Sequence, residues 1–177
     1  MAMAKPEDIL RAVDGAQRIA IVGSPGSGKS TLARALAART GLPLVHLDQL
    51  HWQPGWTEPP EAEWQPRVAA AAAGERWIID GNYGSTLAPR LARADLVLWL
   101  DLPTLLCLWR VTRRALGGLG RVRADMAPGC PERLDPEFLV YVARFRADGR
   151  PRVVAALERT AASVIQVTSA RTLSALG

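Results

Sequence analysis

Gly23-Ser24-Pro25-Gly26-Ser27-Gly28-Lys29-Ser30 sets glycines, a lysine and a hydroxyl in the order G-x-x-x-x-G-K-S, and residues spaced in this way do phosphate chemistry. Glycines let successive backbone N–H groups turn inward as an anion nest. The start of a following helix adds its positive dipole end, and no side chain obstructs the anion. Lys29 is expected to reach the β- and γ-phosphates of a nucleotide and Ser30 to place its hydroxyl on Mg²⁺, with Thr31 flanking them. Composition sharpens this reading. The chain has 20 arginines and only two lysines, Lys5 and Lys29, so a basic residue placed here by composition alone would be arginine.

Three aspartates stand at the ends of short apolar runs, where further chemistry is expected. Asp80 follows Trp77-Ile78-Ile79 and precedes Gly81-Asn82. It suits the outer shell of a Mg²⁺ ion, which keeps waters and uses few protein oxygens, although a turn cap on Gly81-Asn82 would look the same. Asp48 follows Pro43–Leu47 and either takes a proton from, or orients, an acceptor hydroxyl, or else starts the turn into Trp52-Gln53-Pro54-Gly55-Trp56. His46, Asp48 and His51 lack the fourth ligand and closed spacing of a zinc site. Asp101, before Leu102-Pro103, reads as the cap of a helix opening at Pro103.

The elements that must carry these groups alternate between β-rich runs and Ala/Leu/Arg-rich helical stretches, the pattern of a parallel sheet. Strands are expected at 18–22, 43–47, 77–79, 96–100 and 163–167, and helices at 30–40, 61–73, 86–92, 103–116, 136–147, 151–161 and 168–176. Continuous apolar strands imply helices on both faces, and ligands of such sheets bind at the carboxyl edge. The fold class is therefore α/β, a P-loop NTPase with a five-stranded parallel sheet, organised as one domain over residues 1–177. Residues 51–60 and 117–136, rich in Pro, Gly, Trp or Arg, read as functional loops, and about 117–135 forms a candidate lid. Trp52 and Trp56 would shape an acceptor pocket, while Trp64, Trp77, Trp99 and Trp109 read as core.

Of the 177 residues, 49% are hydrophobic and 22% charged, which excludes a disordered or collagen-like chain. The longest apolar run, 94–109, is interrupted by Asp95, Asp101 and Pro103, so no membrane span is expected. Nothing between Met1 and Asp8 marks the chain for secretion, and the cytoplasm is the expected location. Cys107 and Cys130 fit neither a metal knuckle nor a disulfide framework and are expected as thiols. The net charge of +5 is regional: residues 110–152 hold ten arginines against five acids, and the rest of the chain sums to zero. A phosphate-rich partner is expected to meet that region, or it is a solvated arginine face.

The glycine loop, Trp77-Ile-Ile-Asp80-Gly81 and Ala94-Asp-Leu-Val-Leu-Trp-Leu-Asp101-Leu-Pro103 together resemble the adenylate-kinase-like P-loop kinases. The closer likeness is to the bacterial DNA topology modulation proteins, carried by Leu47-Asp-Gln-Leu-His-Trp52, Gly55-Trp56, Trp77–Tyr83, Arg123-Ala-Asp-Met126 and Gly129-Cys-Pro-Glu132. It covers about residues 18–155. The resemblance implies that Arg110 and Arg114, nine and thirteen residues after Asp101, grip ATP phosphates. The chain departs from adenylate kinase after Asp80-Gly81, where Asn82-Tyr83-Gly84 replaces Phe-Pro-Arg, so that family's clamp for an acceptor monophosphate is missing; Arg90 is a possible substitute. Asp48 likewise replaces a small hydroxyl residue, as in kinases that activate an alcohol.

These residues imply a Mg²⁺/ATP-dependent phosphotransferase acting on a small acceptor: a nucleoside, a nucleotide or another hydroxyl compound. Gly23, Ser24, Pro25, Gly26, Ser27, Gly28, Lys29, Ser30 and Thr31 would hold the donor. Ser30 and Asp80 would hold Mg²⁺, Asp48 would serve the acceptor, and Arg110 and Arg114 would stabilise the moving phosphoryl group. Arg121 and Arg123 would close over ATP from the lid. The alternative is a nucleotide-dependent regulatory or DNA-associated protein; no helix-turn-helix or zinc finger is legible, so nucleic acid is the weaker partner.

Overall fold

The computed structural model describes residues 5–176; residues 1–4, which open the N-terminal reading above, and residue 177 lie outside it. In chain order the elements are α1 (Pro6–Gly15), β1 (Arg18–Gly23), α2 (Lys29–Thr40), β2 (Leu44–His46), α3 (Leu47–His51), α4 (Glu61–Ala72), β3 (Trp77–Asp80), α5 (Gly84–Arg93), β4 (Leu96–Leu100), α6 (Thr104–Gly118), α7 (Pro136–Asp148), α8 (Arg150–Leu157), β5 (Ser163–Val167) and α9 (Ala170–Ser174). The five strands form one parallel sheet in the order β2-β3-β1-β4-β5. β1 is central, so the glycine loop leaves from mid-edge.

The two-residue period of a strand divides the core. Ile19 and Ile21 of β1 pack with α1 and α2, whereas Ala20 and Val22 face α4, α5 and α8 across the sheet. Both faces of the sheet are thus covered, which is why the strands read as nearly unbroken apolar runs. A smaller cluster of Leu102, Cys107, Val111 and Val142 joins α6 to α7. Cys107 and Cys130 are free and buried. Among the described residues, no helix is long and apolar enough to cross a membrane.

Four expectations need correction. α1 was not foreseen, yet Pro6 opens it and Ile9 and Val13, one turn apart, bury against β1 and α2. The second strand stops at His46, and Leu47 turns at once into α3, so Asp48 lies in a helical first turn and not at a strand end. Asp101 does not cap α6. Its carboxylate accepts from Arg150 at 2.9–3.1 Å and from Gln166 at 2.9 Å, and the Arg150 guanidinium lies over the Trp99 ring. Trp109 is 56% exposed and not core, because α6 meets the body through Cys107, Val111 and Ala115 and turns its 105–109–116 side outward.

Gly23 fixes where β1 meets β4. Its φ is +140°, and a Cβ there would lie 2.1 Å from the Leu100 carbonyl oxygen. Gly23→Ala is therefore expected to lower the free energy of unfolding by about 2–4 kcal/mol, combining backbone strain with a clash against main chain. Urea unfolding followed by circular dichroism measures it, and an unchanged midpoint would contradict the assignment.

Candidate active site

The glycine loop curls between β1 and α2 with Gly26 and Gly28 at φ +77° and +99°. A Cβ on Gly26 would meet the Cys107 carbonyl oxygen at 2.6 Å, so α6 packs directly beneath the loop. Lys29 donates to the carbonyl oxygens of Gly23 and Ser24 at 3.1 and 3.0 Å. Burial presses its ammonium toward the neutral form, and the carboxylates of Asp48 and Asp80 oppose that. The Ser27 hydroxyl is buried with no partner, a donor left over inside a loop built for an anion. Pro25 is partly buried, and Thr31 faces outward on α2.

Parallel register sets the carboxylate opposite this loop. Asp80 pairs in register with Ile21 of β1 and with His46 of β2. Its Oδ2 accepts from the Ser30 hydroxyl at 2.7 Å, and its Oδ1 faces His46 Nδ1 at 2.6 Å. Asn82 extends the connection: its side chain accepts from Gly23 N–H at 2.9 Å and donates to the Gly23 carbonyl at 2.8 Å. A hydroxyl and a carboxylate oxygen meeting at the loop's base are hard donors of the kind Mg²⁺ takes, so Ser30 and Asp80 fit that ion.

Asp48, on the first turn of α3, accepts from the Tyr83 hydroxyl at 2.6 Å. Burial and this carboxylate push the Tyr83 phenol far above its ordinary range, so it stays protonated and donates. Tyr83 sits at φ +39°, a left-handed conformation that costs a non-glycine residue about 1–3 kcal/mol. His46, Asp48 and His51 diverge: His46 goes to Asp80, whereas the His51 ring lies 4.5 Å from Tyr83 and 4.6 Å from Trp64. Trp52 and Trp56 lie beside each other and pack on Met126, Ala127 and Cys130.

The arginines separate into two groups. Arg110 donates to the Ser27 carbonyl at 3.0 Å, which places it against the glycine loop. Arg114 pairs with Glu132 at 3.2 Å; Arg123 pairs with Glu132 and, at 2.8 Å, with Asp125. Arg121 is exposed. The candidate lid is pinned to the segment after α3 by Gln49 to the Ala124 carbonyl, Gly55 N–H to the Gly129 carbonyl and Trp56 Nε1 to the Pro131 carbonyl. Arg90 is no acceptor clamp. It is 1% exposed and donates to the carbonyls of Gly81, Asn82 and Thr86, so its fork is consumed in holding the turn after β3.

His46, Tyr83 and Glu132 were missed as members of this site. Each acts on a residue distant in sequence, and only strand register or the fold of the lid brings the partners together.

The fold of this chain is shared with solved structures. Shikimate kinase from Acinetobacter baumannii, solved with shikimate, superposes with a TM-score of 0.56 at 18% identity, over 94% of this chain and 92% of that one. The fold is that of the P-loop kinases. Shikimate kinase from Bacteroides thetaiotaomicron gives a TM-score of 0.58 at 18% identity, over 92% and 95% of the two chains. Residues 19–72 match the family described as ATPase family associated with various cellular activities (AAA), a stretch running from β1 through the P-loop to α4. No curated protein matches the chain by sequence.

Burial lowers the Arg90 pKa to about 10, yet leaves the group charged at neutral pH. Arg90→Leu takes the side-chain donor from three carbonyls, two of the bonds buried, and is expected to lower the free energy of unfolding by about 3–5 kcal/mol, whatever the ligand. Thermal and urea denaturation test this, and a loss below about 1 kcal/mol would return Arg90 to the list of ligand-binding candidates.

Proposed function

We propose that this protein is a Mg²⁺-dependent phosphotransferase that moves the γ-phosphoryl group of ATP to the hydroxyl of a small acceptor. The observation that carries the reading is the convergence on one sheet edge: Ser30 of the P-loop meets Asp80 of the neighbouring strand, and Asp48 joins Asp80 in the electrostatic surroundings of Lys29. Phosphoryl transfer demands positioning and charge neutralisation more than covalent chemistry, and this edge supplies both.

The loop N–H groups of residues 23–28 and the Lys29 ammonium hold the donor phosphates, with Thr31 flanking them. On binding ATP, Lys29 exchanges the Gly23 and Ser24 carbonyls for phosphate oxygens. Ser30 and Asp80 would hold Mg²⁺, which would supply neutralisation of phosphate charge. Asp48 orients the acceptor hydroxyl and takes its proton as the oxygen–phosphorus bond forms; the bond to the ADP leaving oxygen breaks. Tyr83 keeps the Asp48 carboxylate aimed. Arg110, already at the loop, and Arg114 stabilise charge on the moving group, while Arg121 and Arg123 belong to the covering lid.

The regional charge supports a nucleotide more readily than a nucleic acid. Arg114, Arg123, Arg133, Arg144 and Arg150 are committed to ion pairs with acids of this chain, so the segment's free positive charge is smaller than its composition implies.

ATP consumption measured across nucleosides, nucleoside monophosphates and small polyols tests the proposal. Lys29→Ala is expected to lower kcat/KM by roughly 10²–10³-fold, as loss of a preorganised phosphate contact does. Asp48→Asn is expected to cost about 10²–10⁴-fold in the acceptor-dependent rate while ATP binds as before. Tight ATP binding with no acceptor-dependent consumption would overturn the proposal and favour a nucleotide-dependent regulatory protein.

A further inference from the structure

Lysine and arginine avoid one side of this site. Residues 41–66, from the end of α2 to the middle of α4, and residues 77–89, from β3 into α5, contain neither, though they contain Asp48, Glu58, Glu61, Glu63 and Asp80. At the chain's average of 22 in 177, those 39 positions would hold about five basic residues. These two segments build the surroundings of Asp48.

Aromatic groups stand where cations do not. The His51 ring lies 4.5 Å from Tyr83, 4.6 Å from Trp64 and 5.1 Å from Trp52, and Trp56 follows at 5.4 Å from Trp52. His51 is 9% exposed, and its Nδ1 is buried without a partner, a polar atom left over beside the aromatic cluster. Burial holds its imidazole toward the neutral form although Glu58 and Asp48 pull the other way, so it does not supply the missing cation.

Cations that approach from other elements are already engaged. Arg90 is spent on three backbone carbonyls, and Arg114 is paired with Glu132. Arg34 and Arg123 both meet Asp125, and Arg133 lies over the Trp56 ring while paired with Asp135. Lys29 belongs to the P-loop. An acceptor bearing phosphate or carboxylate would enter beside Asp48 and Glu58, where like charges repel, and Arg114 and Arg123 would reach it only by giving up the carboxylates they already hold.

We infer that the acceptor is a hydroxyl compound without phosphate or carboxylate, one that lays a ring face against Trp52 and its aromatic neighbours while presenting its hydroxyl to Asp48. The inference rests on the proposed phosphotransfer and names its substrate class. Aromatic faces reward a flat or apolar ring, and the surplus of acid tolerates an amine on it.

The wild-type protein with ATP and Mg²⁺ decides this when acceptors are offered in matched pairs: nucleosides against their 5′-monophosphates, and cyclic polyols and amino sugars against their phosphates and carboxylic acids. The uncharged or amine-bearing member of a pair is expected to show a kcat/KM at least tenfold higher, and to quench tryptophan fluorescence at lower concentration. Glu58→Lys, a change at a side chain 66% exposed, is expected to narrow that preference at least tenfold by placing a cation at the rim. Equal or better use of the anionic members would overturn the inference and leave the phosphotransferase standing. Binding of ATP with no acceptor consumed from any pair would defeat the phosphotransferase itself, and the inference with it.

Discussion

A carboxylate taken out of water and held between a hydroxyl and an imidazole organises the middle of this molecule. Asp80 is 4% exposed, and an ionised group so buried is tolerated only when its lone pairs are met. Ser30 meets one oxygen and His46 the other. Satisfying Asp80 therefore fixes the start of α2 against the end of β3 and the end of β2 beside both. The turn that follows inherits this placement: Asn82 grips the peptide of Gly23, and Arg90 closes the carbonyls behind it. Removing either partner of Asp80 would loosen loop, strand and turn together.

From that centre the edge divides by charge. On the α6 side the groups are guanidinium and backbone N–H, with Arg110 against the loop and Arg114 behind it. Toward β2 and α3 they are carboxylate, phenol, imidazole and indole. Glu132 sits among the arginines as an internal anion, ion-paired with Arg114 and Arg123 while 6% exposed. It keeps two guanidinium groups paired in a ligand-free protein, where unpaired they would repel each other and cost solvation. A phosphate chain entering here competes with a carboxylate, so the net gain from each arginine is less than its contact with phosphate alone.

Much of this was legible in the sequence because the signals were local. The P-loop needs a strand, eight residues and a helix in succession, and all five strands follow from β-rich runs of three to five residues. Asp80 was placed with Ser30 by the same logic. What escaped was set by distant partners. Asp101 looked like a cap because Pro103 follows it, yet Arg150, 49 positions later, reaches its carboxylate first. Arg90 looked like a clamp because it lies on the helix that follows Asp80-Gly81, and only the buried turn after β3 shows its donors consumed. Trp109 looked like core because its neighbours in sequence are apolar, although α6 buries only the row through Cys107 and Val111. Asp48 was misplaced by one element: a β-rich run gives no sign that Leu47 has already begun a helix.

The stitching of residues 124–131 onto residues 49–56 has a mechanical consequence. Gln49, Gly55 and Trp56 hold that segment by main-chain contacts, while Arg114 and Arg123 are tied to its Glu132. On the proposed function, donor cover and acceptor wall would be one body with two handles. On the proposed phosphotransfer, a nucleotide that drew the arginines away from Glu132 would strain the contacts of the indoles as well, and an occupant of the indole side would stiffen the arginines. The affinities of donor and acceptor would then be linked reciprocally, each binding step changing the other by the same factor.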